Sequence, residues 1–190
     1  PPPVAPALAP EVPARDLVPP PGLDLRGYDF DLAGGGHAFE DYRVGERIDH
    51  LDGVTIEEAE AQMATRLYQN TARVHFNPFA RDDGRRLVYG GVVLSAARAL
   101  SFNGLENAGL LLALNGGRHV APYFAGRTLF AWSQVLQAAD LGPCGALRLR
   151  TIATADHPCD DFPSLDDQGA SHPAIVLDID YWAAIPKRRS

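Results

Sequence analysis

The residues best suited to chemistry lie in one stretch, RLYQNTARVHFNPFARDDGRRLVYGG, which spans residues 66–91. Within it, His75 is a candidate for accepting or donating a proton close to neutrality, because histidine as a residue type has an unperturbed pKa of about 6.5. The stretch ends in Gly90 and Gly91, and the almost wholly apolar run VVLSAARAL follows directly. If that run is a helix, its first N–H groups are unpaired, and glycine lets a ligand oxygen approach them closely. The spacing therefore predicts a proton-transfer histidine beside an oxyanion site.

Each of these residues also has a structural interpretation that the sequence leaves open. His75 could be a histidine with satisfied hydrogen bonds or part of an exposed loop, and Gly90-Gly91 could form only a tight turn. Asn70 could position a water molecule, or it could cap the preceding helix or form a turn. His119, in NGGRHVAP, is expected at the start of a strand, where a structural role is favoured, although its side chain could reach the site.

One helix is predicted on each side of this stretch. The first begins at Thr55, which has the capping-box spacing with Glu58, and it extends to residue 67 or 68. The second covers about residues 91–102 and is apolar on nearly every face, which predicts that other elements surround it. A proline and a glycine interrupt the sequence between the helices, so residues 69–88 are expected to form an irregular overhang.

Much of the remaining chain has the alternation and the β-branched and aromatic residues that favour strands. In IVLDIDYW, apolar residues alternate with Asp178 and Asp180, which places the two carboxylates on the opposite face of a strand. Strands are predicted at 43–50, 128–136, 146–153 and 174–185. A sheet wrapped around the apolar helix buries both surfaces, so the predicted class is α+β with an antiparallel sheet around one central helix.

The composition favours a globular domain that does not bind nucleic acid. The chain has 190 residues and a net charge of -7, so no basic surplus is available to neutralise phosphates. Its two cysteines lack metal-ligand spacing, which favours a reduced cytoplasmic protein without a metal site. No apolar run reaches the roughly 20 residues that span a bilayer, so no membrane association is expected.

Proline and alanine dominate the beginning of the chain. Because proline fixes the backbone and removes a donor, residues 1–22 are expected to be extended and semi-rigid, without packing against the domain. Residues 1–36 are therefore interpreted as a linker-like segment, and residues 37–190 as one domain.

Several runs of this sequence resemble the MaoC-like hotdog hydratase family. NTARVH, from Asn70 to His75, matches the segment that joins the family's catalytic aspartate and histidine, and Tyr89-Gly90 matches its His-Gly corner. Asn70 and Tyr89 depart from the family residues, since asparagine cannot act as a carboxylate base. The runs LYQNTARVHFN, YGGVVLSAARALSFNGLENA, NGGRHVAPYFAG and VLDIDYW look like the branch of mesaconyl-CoA (2-methylfumaryl-CoA) hydratases, or β-methylmalyl-CoA dehydratases. The resemblance is to the second of that branch's two hotdog repeats.

The resemblance implies a hotdog fold and a hydro-lyase activity. Such an enzyme adds water reversibly to an α,β-unsaturated, mesaconyl-type acyl-CoA, which is the substrate, and needs no further cofactor. His75 and Asn70 are then the catalytic candidates, and Gly90 and Gly91 bind the thioester oxygen. A hotdog acyl-CoA thioesterase, or a non-catalytic hotdog half, remains an alternative.

The resemblance also implies partners for the substrate and for the domain. A dicarboxylic acyl group needs a cation, and Arg73 and Arg118 are candidates because a guanidinium grips carboxylate in a fixed fork. Tyr89 and His119 are further substrate-binding candidates. A single hotdog leaves its site partly open, so a homodimer or pairing with a second hotdog domain is expected.

Overall fold

The computed structural model describes residues 11–164 and 172–188 as one antiparallel sheet with a helix across it. The strands are β1 (Arg47–Asp49), β2 (Val54–Thr55), β3 (Leu110–His119), β4 (Thr128–Asp140), β5 (Gly145–Ala155) and β6 (Ile175–Ile185). The helices are α1 (Phe30–Ala33), α2 (Glu58–Leu67), α3 (Gly90–Leu100) and α4 (Phe102–Leu105), and 3-10 turns cover Ala14–Asp16, Phe39–Asp41, Arg73–His75 and Pro78–Ala80. Neighbouring strands follow the order β1, β4, β5, β6, β3, and β2 also pairs with β4. In the ranges described, no helix is long and apolar enough to cross a membrane.

Helix α3 lies across the sheet because helix and sheet present continuous apolar surfaces to each other. The helix buries Val92, Val93, Ala97 and Leu100. These residues share one core with apolar side chains of the central strands, including Leu147, Leu149, Leu177, Ile179 and Tyr181. Full burial of such an aliphatic side chain contributes about 1.5–3 kcal/mol. The arrangement confirms the expected α+β hotdog architecture.

The other face of the sheet carries paired charges. Asp178 and Asp180 point away from α3, as the alternation of β6 predicts. Nε and Nη2 of Arg150 donate to the two carboxylate oxygens of Asp178 at 2.9 and 2.8 Å. Arg148 forms the corresponding pair with Asp180. This cross-strand ladder neutralises its own charges.

A buried chain of hydrogen bonds joins the sheet to α3. His50 is fully buried, and its Nδ1 lies 2.7 Å from the carbonyl oxygen of Asn103. Because a carbonyl only accepts, Nδ1 carries the proton, and Nε2 accepts from the hydroxyl of Ser133 at 2.8 Å. From Ser133 the bonds continue, in steps of 2.7, 2.9 and 2.7 Å, through Thr151, Tyr181 and Arg98 of α3.

Helix α2 begins later than the sequence predicts. Thr55 belongs to β2, where its hydroxyl bonds to that of Thr128 at 2.8 Å, so the expected capping box of Thr55 with Glu58 is wrong. The pairing of β2 with β4 holds this backbone extended. The helix begins at Glu58, and the Glu60 carboxylate accepts from the backbone N–H of Glu57 at 3.2 Å. Its end at residue 67 is as predicted.

The boundaries of α3 and β1 also differ from the prediction. Helix α3 begins at residue 90 and ends at residue 100, against the expected 91–102. Its stop signal is confirmed, because Asn103 and Gly104 have non-helical backbone angles and Gly104 has φ of 89°. The short strand expected at 43–50 is confined to Arg47–Asp49.

Strand β3 was not predicted from the sequence. Its run LLLALNGGRH has no regular alternation, and its register with β6 shifts between Leu111 and Ala113 and again between Leu114 and Gly116. Such irregularities change which residues face the core, and so they remove the period-two pattern. Within the described residues β3 pairs only with β6, which makes it an edge strand.

The N-terminal segment packs against the sheet more closely than its composition predicts. Nε1 of Trp182 donates to the carbonyl of Val12 at 2.9 Å, and Leu17 is buried in a cluster with Trp182 and Ala146. The expectation of an unpacked segment is therefore wrong for residues 12–17, because these apolar contacts outweigh the extended character of the prolines. Residues 1–10 lie outside the described residues, and the domain boundary after residue 36 stays a prediction.

Candidate functional site

A cavity of about 660 Å³ opens at the N-terminus of α3. It is lined by His75, by residues 87–91, by Val93 and Leu94 of α3 and by residues 119–123. A second cavity of about 520 Å³ lies on the opposite face of the sheet, beside the ladder of paired charges. The first cavity is the candidate active site. It contains two histidines that form no ion pair within the described residues, and helix N–H groups that have no partner within the helix.

The backbone of the overhang fixes the orientation of His75. The N–H of Leu87 donates to the carbonyl of Val74 at 2.9 Å, and the carbonyl of Leu87 lies 2.9 Å from Nδ1 of His75. Since a carbonyl can only accept, Nδ1 carries the proton, and in the neutral ring the lone pair is on Nε2. The ring lies with its centroid 5.7 Å from that of Tyr89. His75 is thus held as one tautomer, with Nε2 as the proton acceptor.

Gly90 and Gly91 form the first turn of α3, where the N–H groups have no partner within the helix. A Cβ on Gly90 would lie 2.3 Å from Nε2 of His119, and a Cβ on Gly91 would lie 2.6 Å from Cε1 of Tyr89. Both positions therefore require glycine because aromatic rings approach the backbone there. The two rings flank a helix N-terminus that can bind an oxyanion.

The sequence predicted His119 at the start of a strand, but it is the last residue of β3. Its position at the sheet edge places its ring against Gly90 and within the same cavity as His75. Partial burial lowers the pKa of His119, and the positive form of His75 lowers it further. The cavity therefore contains two interacting histidines, one of them biased towards the neutral form.

Asn70 lies outside the residues that line the cavity. Its Oδ1 accepts from the N–H of Ala72 at 2.9 Å, and its own N–H donates to the carbonyl of Thr65 at 3.0 Å. These bonds form a turn directly after α2. They favour the structural interpretation of this residue, and its catalytic role stays a prediction.

The two candidate arginines do not line the cavity either. Arg73 is exposed on the turn that carries His75. Arg118 is paired in register with Asp178, and because neighbours on a strand point to opposite faces, it points away from the face that His119 shares with α3. It lines the second cavity instead. Neither arginine therefore lines the cavity that contains the oxyanion site, and Arg118 lies on the other face of the sheet.

Tyr123 lines the cavity but was not identified from the sequence. It is buried, its hydroxyl donates to the carbonyl of Arg127, and burial raises its pKa to about 12. The phenol therefore stays protonated and serves as a wall. Its sequence context, APYFAG, signals a strand entry and gives no indication of which way the ring points.

Comparisons with known proteins find two curated relatives that each match almost the whole chain. Mesaconyl-CoA hydratase from Cereibacter sphaeroides is 53% identical over 187 residues, which are 97% of this chain and 54% of that protein. Beta-methylmalyl-CoA dehydratase from Chloroflexus aurantiacus is 52% identical over 191 residues, again 97% of this chain and 54% of that protein. The chain therefore spans about half the length of these relatives. No family model matches the chain.

A solved structure is similar to this chain in fold as well as in sequence. The crystal structure described as a MaoC domain protein dehydratase from Chloroflexus aurantiacus has a TM-score of 0.89 and 52% sequence identity to this chain. The match covers 99% of this chain and 55% of that chain.

Proposed function

Because the chain is a MaoC-like hotdog domain related to a mesaconyl-CoA hydratase and a beta-methylmalyl-CoA dehydratase, we propose that it carries a hydro-lyase site. The reaction is the reversible addition of water to an α,β-unsaturated, mesaconyl-type CoA thioester. The observation that carries the proposal is that one cavity contains both His75, with its lone pair on Nε2, and the N-terminus of α3.

The helix N-terminus stabilises the charge that develops during hydration. When the oxygen of water attacks the β-carbon, electrons move through the α,β double bond, and negative charge builds on the thioester oxygen. The N–H groups of Gly90 and Gly91 are fixed before the reaction, so they stabilise this charge without reorganising. Loss of one such donor typically costs about 10²- to 10³-fold in kcat.

His75 carries the proton. Nε2 accepts a proton from water as its oxygen bonds to the β-carbon, and the imidazolium then returns a proton from Nε2 to the α-carbon, which completes the addition and restores the neutral ring. The hydrogen bond from the Nδ1 proton to the carbonyl of Leu87 keeps the ring oriented throughout. Substrate, water and these two proton transfers balance the reaction, so it needs no further cofactor.

The substrate's free carboxylate must be bound by other groups. His119 and Tyr89 flank the thioester position, and we propose that they hold the acyl group. Arg73 stays a candidate for the carboxylate because it is exposed on the turn of His75, whereas Arg118 faces away. A cation supplied by a companion domain is the other source.

We also propose that the chain works paired with a second hotdog domain, either a second copy or the other half of a longer protein. Strand β3 is an edge strand in the described part of the chain, and it ends at His119. Leu110, Leu111 and Leu114 on this strand are partly exposed. Light scattering that finds a stable monomer with full activity would contradict the pairing.

A cytoplasmic location is also proposed, since both cysteines are buried free thiols.

The test is a turnover assay with mesaconyl-CoA, run on the chain alone and with the companion domain of a relative. Loss of enoyl absorbance without release of free CoA thiol supports the hydratase. Release of the thiol supports a hotdog thioesterase instead. Binding without turnover under both conditions supports a non-catalytic half.

A further inference from the structure

An arginine guanidinium lies over the face of an aromatic ring beside the candidate active site. The guanidinium carbon of Arg85 is 3.8 Å from the centroid of the Phe124 ring, and that of Arg81 is 5.4 Å from the same centroid. Stacking holds a guanidinium by its face and leaves the N–H donors along its edge available to a ligand. The ring therefore fixes the position of Arg85 without using its hydrogen bonds.

Among the residues that the structure describes, the Arg85 guanidinium forms no ion pair, whereas those of its neighbours do. Arg81 forms an ion pair with Asp83 at 2.7 Å, and Arg86 forms one with Glu58. In the ranges 11–164 and 172–188, no carboxylate lies within ion-pair distance of the Arg85 guanidinium, and only its backbone N–H reaches Asp83, at 3.1 Å. Arg85 is thus a fixed cation that remains able to bind an anion.

The stacked pair lies where a long substrate would leave the cavity. Phe124 directly follows Tyr123, and Arg85 lies two residues before Leu87, so its Cα is at most about 7 Å from that of Leu87. Both Leu87 and Tyr123 line the cavity, and the N–H of Val88 joins the two segments by donating to the carbonyl of Tyr123 at 3.0 Å. An acyl group at α3 could therefore extend its thioester arm past these residues towards Arg85.

We propose that Arg85, held on Phe124, binds a phosphate of the CoA part of the substrate; this inference rests on the proposed function. CoA carries its phosphates at the end of the arm remote from the thioester, and a guanidinium binds phosphate through two parallel N–H bonds. The need for such a cation is clear from the net charge of -7, which repels a multiply charged anion. Arg85 then determines affinity for the carrier and takes no part in the chemistry.

Kinetics with two substrates test this assignment. The substrates are mesaconyl-CoA and the mesaconyl thioester of N-acetylcysteamine, which keeps the reacting groups but has no phosphate. Arg85→Ala should raise KM for the CoA thioester about tenfold or more, with kcat unchanged, and leave the short thioester unaffected. Arg85→Lys should recover part of the loss, because it restores the charge but not the fork.

Arg43→Ala is the matched control, because Arg43 is also an exposed arginine and does not line the cavity. Its backbone N–H donates to the Glu46 carboxylate at 2.9 Å, within the loop before β1. This variant should leave both KM values unchanged. An Arg85→Ala variant that leaves both KM values unchanged, or raises both equally, overturns the inference.

Direct binding separates this inference from the proposed function. Adenosine 3′,5′-bisphosphate and pantetheine 4′-phosphate, each measured by calorimetry against the chain and Arg85→Ala, report which phosphate is bound. Weaker binding of either compound to the variant supports the inference even if neither thioester is hydrated, an outcome that would contradict only the proposed function. Equal binding of both compounds to the two proteins, or no binding of either compound, overturns it.

Discussion

The two faces of the sheet each have a cavity of similar size, about 660 Å³ beside α3 and about 520 Å³ on the opposite face, but their chemistry differs. His119 and Arg118 are neighbours on β3, and strand alternation sends one to each face. On the helix side, the histidines and helix N–H groups keep free lone pairs and donors. On the opposite face, Arg150 and Asp178 neutralise each other.

The difference shows that cavity size and charged residues do not by themselves identify a site. A site needs groups that the fold holds in place but leaves without a hydrogen-bond partner. The carbonyl of Leu87 holds His75 in this way and leaves Nε2 free, and the glycines at the start of α3 leave the helix N–H groups accessible. The ladder on the opposite face is held just as firmly, yet its donors and acceptors are already used. We therefore expect substitutions on the helix side to change turnover, and those on the opposite face to change stability.

The largest effect is expected at His75. His75→Ala should lower kcat for hydration by about 10²- to 10⁴-fold, the usual contribution of a general acid–base group, while the protein stays folded because the overhang is not part of the core. Steady-state turnover together with circular dichroism measures both. Asn70→Ala should cost much less, since its Oδ1 is used by the Ala72 N–H. Near-normal turnover of His75→Ala would transfer the proton chemistry to another residue, and His119 would be the first to examine.

The next largest effect is expected at the helix N-terminus. Gly91→Val should lower kcat and kcat/KM together by about 10²- to 10³-fold, because its Cβ displaces the Tyr89 ring and obstructs the oxyanion site. Gly116→Ala is a matched control, since Gly116 lines the opposite cavity and a Cβ there meets no atom within 4 Å. Equal losses in both variants would remove the distinction between the two cavities.

On the opposite face, the prediction concerns stability. Asp178→Ala leaves the Arg150 guanidinium without its partner, and the unfolding free energy should fall by about 1–3 kcal/mol. The lower part of this range is expected, because the Arg150 side chain is 33% exposed and water can solvate it. Urea unfolding measures the loss, and Asp82→Ala, at an exposed carboxylate, is the control. A fall in turnover per folded molecule would indicate that this face also takes part in function.

The sequence predicted the parts of the site that depend on local signals. His75 and the two glycines lie within one continuous stretch, and the apolar run after them identifies the helix whose N-terminus they form. The central helix and the three long strands β4, β5 and β6 were also predictable, because their apolar patterns persist over many residues.

The parts that depend on long-range pairing were not predictable. His119 enters the cavity only because β3 pairs with β6 through two register shifts, and those shifts also removed the alternation that would have indicated a strand. The face on which Arg118 lies was not predictable for the same reason, since it depends on that register. Thr55 has the spacing of a capping box, but pairing of β2 with β4 overrides this local preference.

The smallest effect concerns pH, and it distinguishes the buried structural histidine from the two histidines that line the cavity. His50 is fully buried with both ring nitrogens hydrogen-bonded, and desolvation lowers its pKa below the unfolded value of about 6.5. Between these two pKa values the unfolded chain binds more protons than the folded one. Stability should therefore fall as the pH drops below about 6.5, by up to about 1.4 kcal/mol per pH unit from this group, and the fall should cease below the folded pKa.

Urea unfolding between pH 8 and pH 5 measures this dependence, with His50→Gln for comparison. The variant is expected to be less stable at pH 8, because the carbonyl of Asn103 and the hydroxyl of Ser133 lose their ring partners. Its stability should nevertheless decline less steeply towards acid, since the titrating group is gone. Parallel curves for the two proteins would show that acid destabilisation originates elsewhere. A shallower curve for the variant would locate it in the buried chain of hydrogen bonds between sheet and α3, apart from the groups that open into the cavity.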